Sequence, residues 1–151
     1  YFADHTMVYE RDYPYTGKQS ECNMAKHEGK TRIKFATKPA FKNFRKGDSF
    51  NSWYNLFKEG PMGVYINANE KMLKYSKGIF FSFDCYTTHA TNHHVVLIGF
   101  KTFPTNGQSY FIIRNSWGTT WGEDGNMRIT YDDKGCCGIT VWGLIAGRFA
   151  P

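Results

Sequence analysis

The sequence predicts an α+β fold in which one amphipathic helix precedes an antiparallel sheet that closes as a barrel or sandwich. Three observations carry this expectation. Only residues 48–60 place apolar side chains at sustained helical spacing, five short β-rich runs follow between residues 62 and 131, and turn residues separate those runs.

The opening "YFADHTMVYERDYPYTG" reads as mid-domain sequence, with Pro14 and Gly17 punctuating a loop. The polar run 18–30 has no periodicity and reads as surface connection. "RIKFAT", 32–37, is strand-like, and here a boundary is expected: residues 1–35 as one segment, 36–151 as a second domain. The basic stretch Lys38 to Lys46 interleaves cations with aromatics, as nucleic-acid binders do. No recognised nucleic-acid motif accompanies it, so it is read as a solvated loop.

In "DSFNSWYNLFKEG" Asp48 or Ser49 caps a helix, Phe50, Trp53, Tyr54 and Phe57 fall at i, i+3, i+4 and i+7, and Gly60-Pro61 ends it. The β-rich runs are 62–67, 78–83, 93–100, 109–115 and 126–131. "TFPTNGQ" joins the third to the fourth as a hairpin carrying Asn106-Gly107.

Composition narrows the function classes. A chain of 151 residues buries roughly two-thirds of its unfolded surface, and 41% hydrophobic with 21% charged residues is globular rather than disordered. No apolar run approaches the roughly 18 residues of a membrane span. The formal charge of +6 comes from cations scattered from Arg11 to Arg148, so no nucleic-acid partner is expected. The four cysteines, 22, 85, 136 and 137, lack the CxxC pairs of a zinc site and agree with an oxidising compartment.

The chemistry-bearing residues cluster in "NHHVVLIGF" and "RNSWGTTWGEDG". His93 begins a strand, where a fixed backbone holds an imidazole at the sheet edge for proton transfer; a lone histidine is otherwise more often structural. Asn115 ends the neighbouring strand and reaches toward that imidazole as its orienter. Trp117 and Trp121, flanked by Gly118 and Gly122, then either shield the bond from water or simply pack the core. His89, His93 and His94 raise a zinc site, but an HxxxH pair needs a helix where this sequence predicts a strand. No metal and no cofactor is expected.

"DYPYTG", "KEGPMGVYIN", "KGIFFSFDC", "NHHVVLIGF", "YFIIRNSWGTTWGEDG" and "CCGIT" occur in the order and rough spacing of papain-like cysteine proteases of the cathepsin kind, and the chain resembles them from near Tyr13 to about Thr140. The resemblance implies the papain-like fold, here the right-hand antiparallel β-barrel domain with the tail of the left-hand helical domain. It implies that His93, six residues before Gly99, is the general acid/base, that Asn115 orients it and that Trp117 covers it. Asn92 and Trp117 would border the leaving-group side. Tyr65, Thr91 and Trp142 resemble the walls of the pocket for the second side chain before the cut, and two of them are large, which implies a shallow or reshaped pocket. Small residues usually follow the family's histidine, so His94 is a departure.

The resemblance pairs Cys85 with Cys137, with Cys136 as a less favoured substitute, and gives Cys22 a disulfide partner upstream. In this family an imidazolium lowers the pKa of a nucleophilic cysteine to about 3 to 4, making it a thiolate at neutral pH. The helix-start motif that carries this cysteine, and the oxyanion glutamine before it, appear nowhere in these 151 residues. The expectation is therefore a cysteine endopeptidase completed by an N-terminal half, probed by peptide or protein substrates and by cystatin-type inhibitors. By resemblance it would be made as a zymogen and act in a lysosome, vacuole or secreted setting. The alternative is an inactive homologue serving as a binding or structural module.

Overall fold

The computed structural model describes residues 6–23, 29–30, 32–33, 40–42, 54–55, 57–58, 60–85, 91–103, 108–131, 136–139 and 144–146. The chain divides into two compact units, Tyr1–Pro39 with Gly147–Pro151, and Ala40–Ala146.

In the first unit β1 (Met7–Val8) pairs antiparallel with β2 (Arg32–Ile33), Met7 opposite Ile33. The strand expected over 32–37 is seen at these two residues, and 34–37 lie outside the described residues. The "DYPYTG" loop opens on a turn in which Asp12 and Tyr13 N–H groups both donate to the Tyr9 carbonyl, at 2.9 and 3.1 Å. Tyr15 N–H donates to the Glu10 carboxylate at 2.8 Å.

The second unit is a seven-stranded sheet in the order β3-β9-β4-β6-β7-β8-β5. Its strands are β3 (Ala40–Lys42), β4 (Met62–Ile66), β5 (Ile79–Phe80), β6 (His93–Lys101), β7 (Tyr110–Arg114), β8 (Asn126–Thr130) and β9 (Leu144–Ala146). Every pairing is antiparallel except β5 with β8, which is parallel. A strand's side chains alternate between faces, so one face gathers the core: Met62, Val64, Ile66, Val95, Leu97, Phe111, Ile113, Met127 and Ile129 are all buried. Between Leu97 and Gly99 the β6–β7 register shifts by a bulge. There a Cβ on Gly99 would meet the Ile112 side chain at 3.3 Å, so glycine suits the close approach.

Two expectations are corrected, and one element is added. The basic stretch read as a solvated loop contains β3, which pairs with β9 and so covers what would otherwise be an open sheet edge. The strand expected over 78–83 stops at Phe80. Beyond it Phe83–Cys85 form a 3-10 turn that leaves Phe83 75% exposed while carrying the fully buried Cys85 into its disulfide with Cys137. The connection after β4, without periodicity in the sequence, holds a short helix at Glu70–Leu73. Its cap is Asn69, whose side chain accepts from Met72 N–H at 3.0 Å and donates to Ser82 Oγ at 3.3 Å.

Of the helix expected over 48–60, Tyr54, Asn55 and Phe57 are described and helical, and Lys58 N–H donates to the Tyr54 carbonyl at 3.1 Å. Tyr54 and Phe57 meet Phe100 of β6 edge-on, with ring centroids 5.8 and 5.4 Å apart. The expected caps Asp48 and Ser49, with Phe50, Trp53 and the Asn106-Gly107 turn, lie outside the described residues.

Candidate active site

His93 is the first residue of β6, paired with Ile66 of β4 on one flank. Alternation puts it in phase with Val95 and Leu97, on the core-facing side of the strand and at the rim where the core ends; it is half-buried. Asn92 holds the strand's entry. Its backbone N–H donates to the Ile66 carbonyl at 3.0 Å, its side-chain oxygen accepts from Ala68 N–H at 2.7 Å, and its amide donates to the Ala68 carbonyl at 3.0 Å. Both polar atoms of this side chain therefore clamp β4 to β6.

Asn115 follows β7, and its backbone N–H donates to the Gly125 carbonyl at 2.9 Å. Its Oδ1 lies 2.8 Å from Ser116 N and 2.9 Å from His93 Nε2. A backbone N–H only donates, so this atom is the acceptor, and His93 must offer it Nε2–H. That fixes the tautomer of the neutral ring and leaves Nδ1 as the nitrogen that takes up and returns a proton. No described residue hydrogen-bonds Nδ1. The Asn115 Nδ2 group is buried and also without a partner among the described residues.

Trp117 stacks on His93, with centroids 4.9 Å apart and planes 22° from parallel. Its far side is held in turn: Trp121 meets it edge-on at 5.1 Å, and Trp121 Nε1–H donates to the Met72 carbonyl at 3.1 Å. The loop from Gly118 to Gly125 turns through left-handed backbone, and at Gly122 (φ 62°) a Cβ would sit 2.5 Å from the Asn126 carbonyl oxygen. Tryptophan stacking and glycine turns thus fix Asn115 and its cover together.

An ion pair ties this loop to the sheet. Arg128 of β8 grips Glu123 with two guanidinium nitrogens, Nε to Oε2 at 2.9 Å and Nη2 to Oε1 at 2.6 Å, and Gly78 N–H donates to Oε1 at 2.9 Å. The Arg128 bond holds the Glu123 carboxyl below its ordinary pKa, and Glu123 in turn raises that of Arg128. Beside them Tyr75 donates to the Gly78 carbonyl at 2.6 Å, and burial raises its phenol. Sequence reading did not single out Tyr75, Glu123 or Arg128. The available signal was an acid and a base bracketing the glycine turn at 125.

The other expected site residues fall in two groups. Tyr65 of β4 stands opposite His94, and the two rings are in contact with centroids 3.7 Å apart. Thr91 lies just before Asn92, and its methyl would be 3.2 Å from a Cβ on Gly138, so it backs onto the turn that carries Cys137. Trp142 lies outside the described residues. Cys22 is exposed and has no disulfide partner among the described residues; the upstream partner expected for it lies outside them. His93 and His94 lie in a strand, and the described residues contain no group of three or more His, Cys, Asp or Glu able to hold a metal ion.

The profile of the papain family of cysteine proteases matches residues 1–144. The chain belongs to the papain family. Among papain-family relatives, cathepsin L of Sarcophaga peregrina is 32% identical over 133 residues, covering 87% of this chain and 37% of the relative. A cathepsin L-like protein of Caenorhabditis elegans is 29% identical over 139 residues, covering 91% of this chain and 39% of its own length. The chain thus spans well under half the length of these curated relatives. In structure it is similar to digestive procathepsin L 3 of Tenebrio molitor larval midgut, with TM-score 0.75, 29% identity and coverage of 97% of this chain and 45% of that one. It is also similar to the bromelain protease of Ananas comosus in complex with the E64 inhibitor, with TM-score 0.71, 27% identity and coverage of 93% and 62%. The fold is papain-like in its mostly sheet, right-hand part. No helix among the described residues is long and apolar enough to cross a membrane.

Proposed function

We propose that this chain is the C-terminal part of a cysteine endopeptidase, with residues 36–151 forming its right-hand domain, and that it contributes His93 and Asn115 to a Cys-His-Asn site. The observation that carries this reading is the 2.9 Å contact between His93 Nε2 and Asn115 Oδ1 beneath the Trp117 ring. The nucleophilic sulfur comes from a polypeptide segment outside these residues, an N-terminal half held as part of the same protease or as an associated chain. Val96 and Ile98, 40% and 38% exposed on the outer face of β6, give that segment an apolar surface to cover.

The chemistry follows from the tautomer. With Nε2–H committed to Asn115, Nδ1 takes the thiol proton and the resulting imidazolium stabilises the thiolate. The thiolate attacks the scissile carbonyl, and collapse of the tetrahedral adduct breaks the C–N bond as Nδ1–H protonates the departing amine. Water, deprotonated by Nδ1, then hydrolyses the thioester and restores the thiol. Asn115 is neutral, so it orients the ring without competing as an anion for the imidazolium. Trp117 keeps water from the orienting bond and lies on the leaving-group side with Asn92; Tyr65, Thr91 and Trp142 wall the pocket for the second side chain before the cut.

Zymogen synthesis and a lysosomal, vacuolar or secreted setting accord with procathepsin L as a structural neighbour, and cystatin-type inhibitors belong to the same reading. The test is to isolate the assembled protein from its source, identify the accompanying polypeptide by mass spectrometry and treat it with E64, the inhibitor bound to the bromelain neighbour. One thiol outside residues 1–151 labelled together with loss of peptide cleavage supports the proposal. An assembled protein with no labelled thiol and no cleavage would make it an inactive homologue used as a binding module.

A further inference from the structure

We infer that Glu123 is a positioning residue for the reaction: its carboxylate holds the turn to which Asn115 is bonded, and through Asn115 it fixes the attitude of the His93 ring. This rests on the proposed roles of His93 and Asn115. The path begins at the Asn115 backbone N–H, which donates to the Gly125 carbonyl at 2.9 Å. Gly125 lies in a reversal where Glu123 and Asn126 exchange backbone hydrogen bonds of 2.9 and 3.0 Å, with left-handed backbone at Asp124 (φ 54°) and Gly125 (φ 83°). Two left-handed residues in succession make the tight hairpin turn that suits strand twist. A single hairpin is only marginally stable by itself, so the place of this one depends on what it grips.

Of the four turn residues, Glu123 is the one whose side chain bonds beyond the turn among the described residues. Asn126 gives its amide to the Glu123 and Asp124 carbonyls, and Asp124 is exposed. The two Glu123 oxygens take three donors: Gly78 N–H at 2.9 Å, just before β5, and from β8 Arg128 Nε at 2.9 Å and Nη2 at 2.6 Å. Tyr75 holds the donors in place. Its hydroxyl donates to the Gly78 carbonyl at 2.6 Å and accepts from Arg128 N–H at 3.3 Å, and its ring lies 3.1 Å from where a Cβ on Gly122 would sit. Tyr110 of β7 faces the Arg128 guanidinium, 5.6 Å from ring centroid to carbon. This grip needs a carboxylate, because an amide of the same shape offers one acceptor oxygen and turns N–H donors toward the guanidinium. When the grip loosens, the turn, Gly125 and Asn115 shift together, and Asn115 Oδ1 holds Nε2–H less well. That bond favours the charged ring, so weakening it brings the alkaline fall of kcat/KM to lower pH. Loss of folded protein would instead lower kcat/KM equally at every pH.

The experiment is kcat/KM of the assembled protease on one fluorogenic peptide, from acid to alkaline pH, with thermal melts of each variant. Glu123→Gln should lose about 5- to 100-fold, the upper figure being the cost of about a 1 Å misplacement, with its alkaline fall at least about 0.3 pH unit lower. Arg128→Lys keeps the charge and gives up the fork; it serves if Glu123→Gln does not fold, and should lose at least about threefold with a shift in the same direction. Lys71→Ala, which breaks the exposed 2.8 Å pair of Lys71 with Asp84, should stay within about twofold and leave the profile unmoved. Folded Glu123 and Arg128 variants with the parent's rate and profile, or a loss equal at every pH, overturn the inference alone when His93→Ala abolishes cleavage. The same loss and shift in Lys71→Ala overturns it too. A parent that cleaves nothing, or whose cleavage survives His93→Ala, overturns it together with the proposed endopeptidase site.

Discussion

Replacing Asn115 by alanine removes one partner from the bond that fixes the imidazole. The atom lost accepts from His93 Nε2 at 2.9 Å and from the exposed Ser116 N–H, which water can satisfy in its place. The cost therefore falls on His93. A hydrogen bond with one charged partner contributes about 1.5–3 kcal/mol, and about 1.4 kcal/mol is tenfold in rate, so kcat/KM should drop about 10- to 150-fold. Trp117→Ala uncovers the same bond and removes a ring stacked at 4.9 Å; at about 0.5–1.5 kcal/mol for such a contact the loss is about 2- to 10-fold. Because an absent bond needs no cover, the double variant should lose less than the product of the two. The assay is kcat/KM of the assembled protease on a fluorogenic peptide, with thermal melts to establish folding. A native-like Asn115→Ala protein within twofold of the parent, or fully multiplicative losses, would refute the reasoning.

Three further outcomes follow from the scaffold. Gly122→Ala forces a Cβ to 2.5 Å from the Asn126 carbonyl oxygen at φ 62°, and should cost at least about 2 kcal/mol in urea denaturation. Replacing Cys85 and Cys137 by serine opens a link across 52 residues; chain-entropy arguments put the loss near 4 kcal/mol, read as a drop in the denaturation midpoint that reduction of the parent reproduces. The Glu123 carboxyl is held below its ordinary value by Arg128. Its contribution is thus complete above the unfolded carboxylate pKa of about 4.3 and lost as pH falls through the lower, folded value. Stability of the parent should fall more steeply below about pH 4.5 than that of Glu123→Gln, measured as denaturation midpoint against pH.

Much of the sheet was legible because its strands obey a local rule. The runs 62–66, 93–101, 110–114 and 126–130 are rich in β-branched and aromatic residues and are bounded by turn residues, while His93 is set apart from His94 by its place six residues before Gly99. Asn115 was legible as His93's neighbour because a hairpin joins their strands. What stayed hidden depends on distant partners. The three-residue strands β3 and β9 pair across about a hundred residues, too short to show a period of their own. Phe81 and Ser82 look like strand residues, yet the chain turns there to bring Cys85 to Cys137. The accommodation of His94 needed the β4–β6 register, which sets Tyr65 opposite it, and the short helix after Asn69 spans too few residues for periodicity.

The most direct measurement is peptide hydrolysis by the assembled protease carrying His93→Ala beside one carrying His94→Ala. Proton transfer by a positioned side chain accounts for about 10²- to 10⁴-fold in rate, so the first variant should lose at least that much on every peptide, while the second keeps turning over. Equal, modest losses in both, or turnover by His93→Ala within tenfold of the parent, would contradict the account.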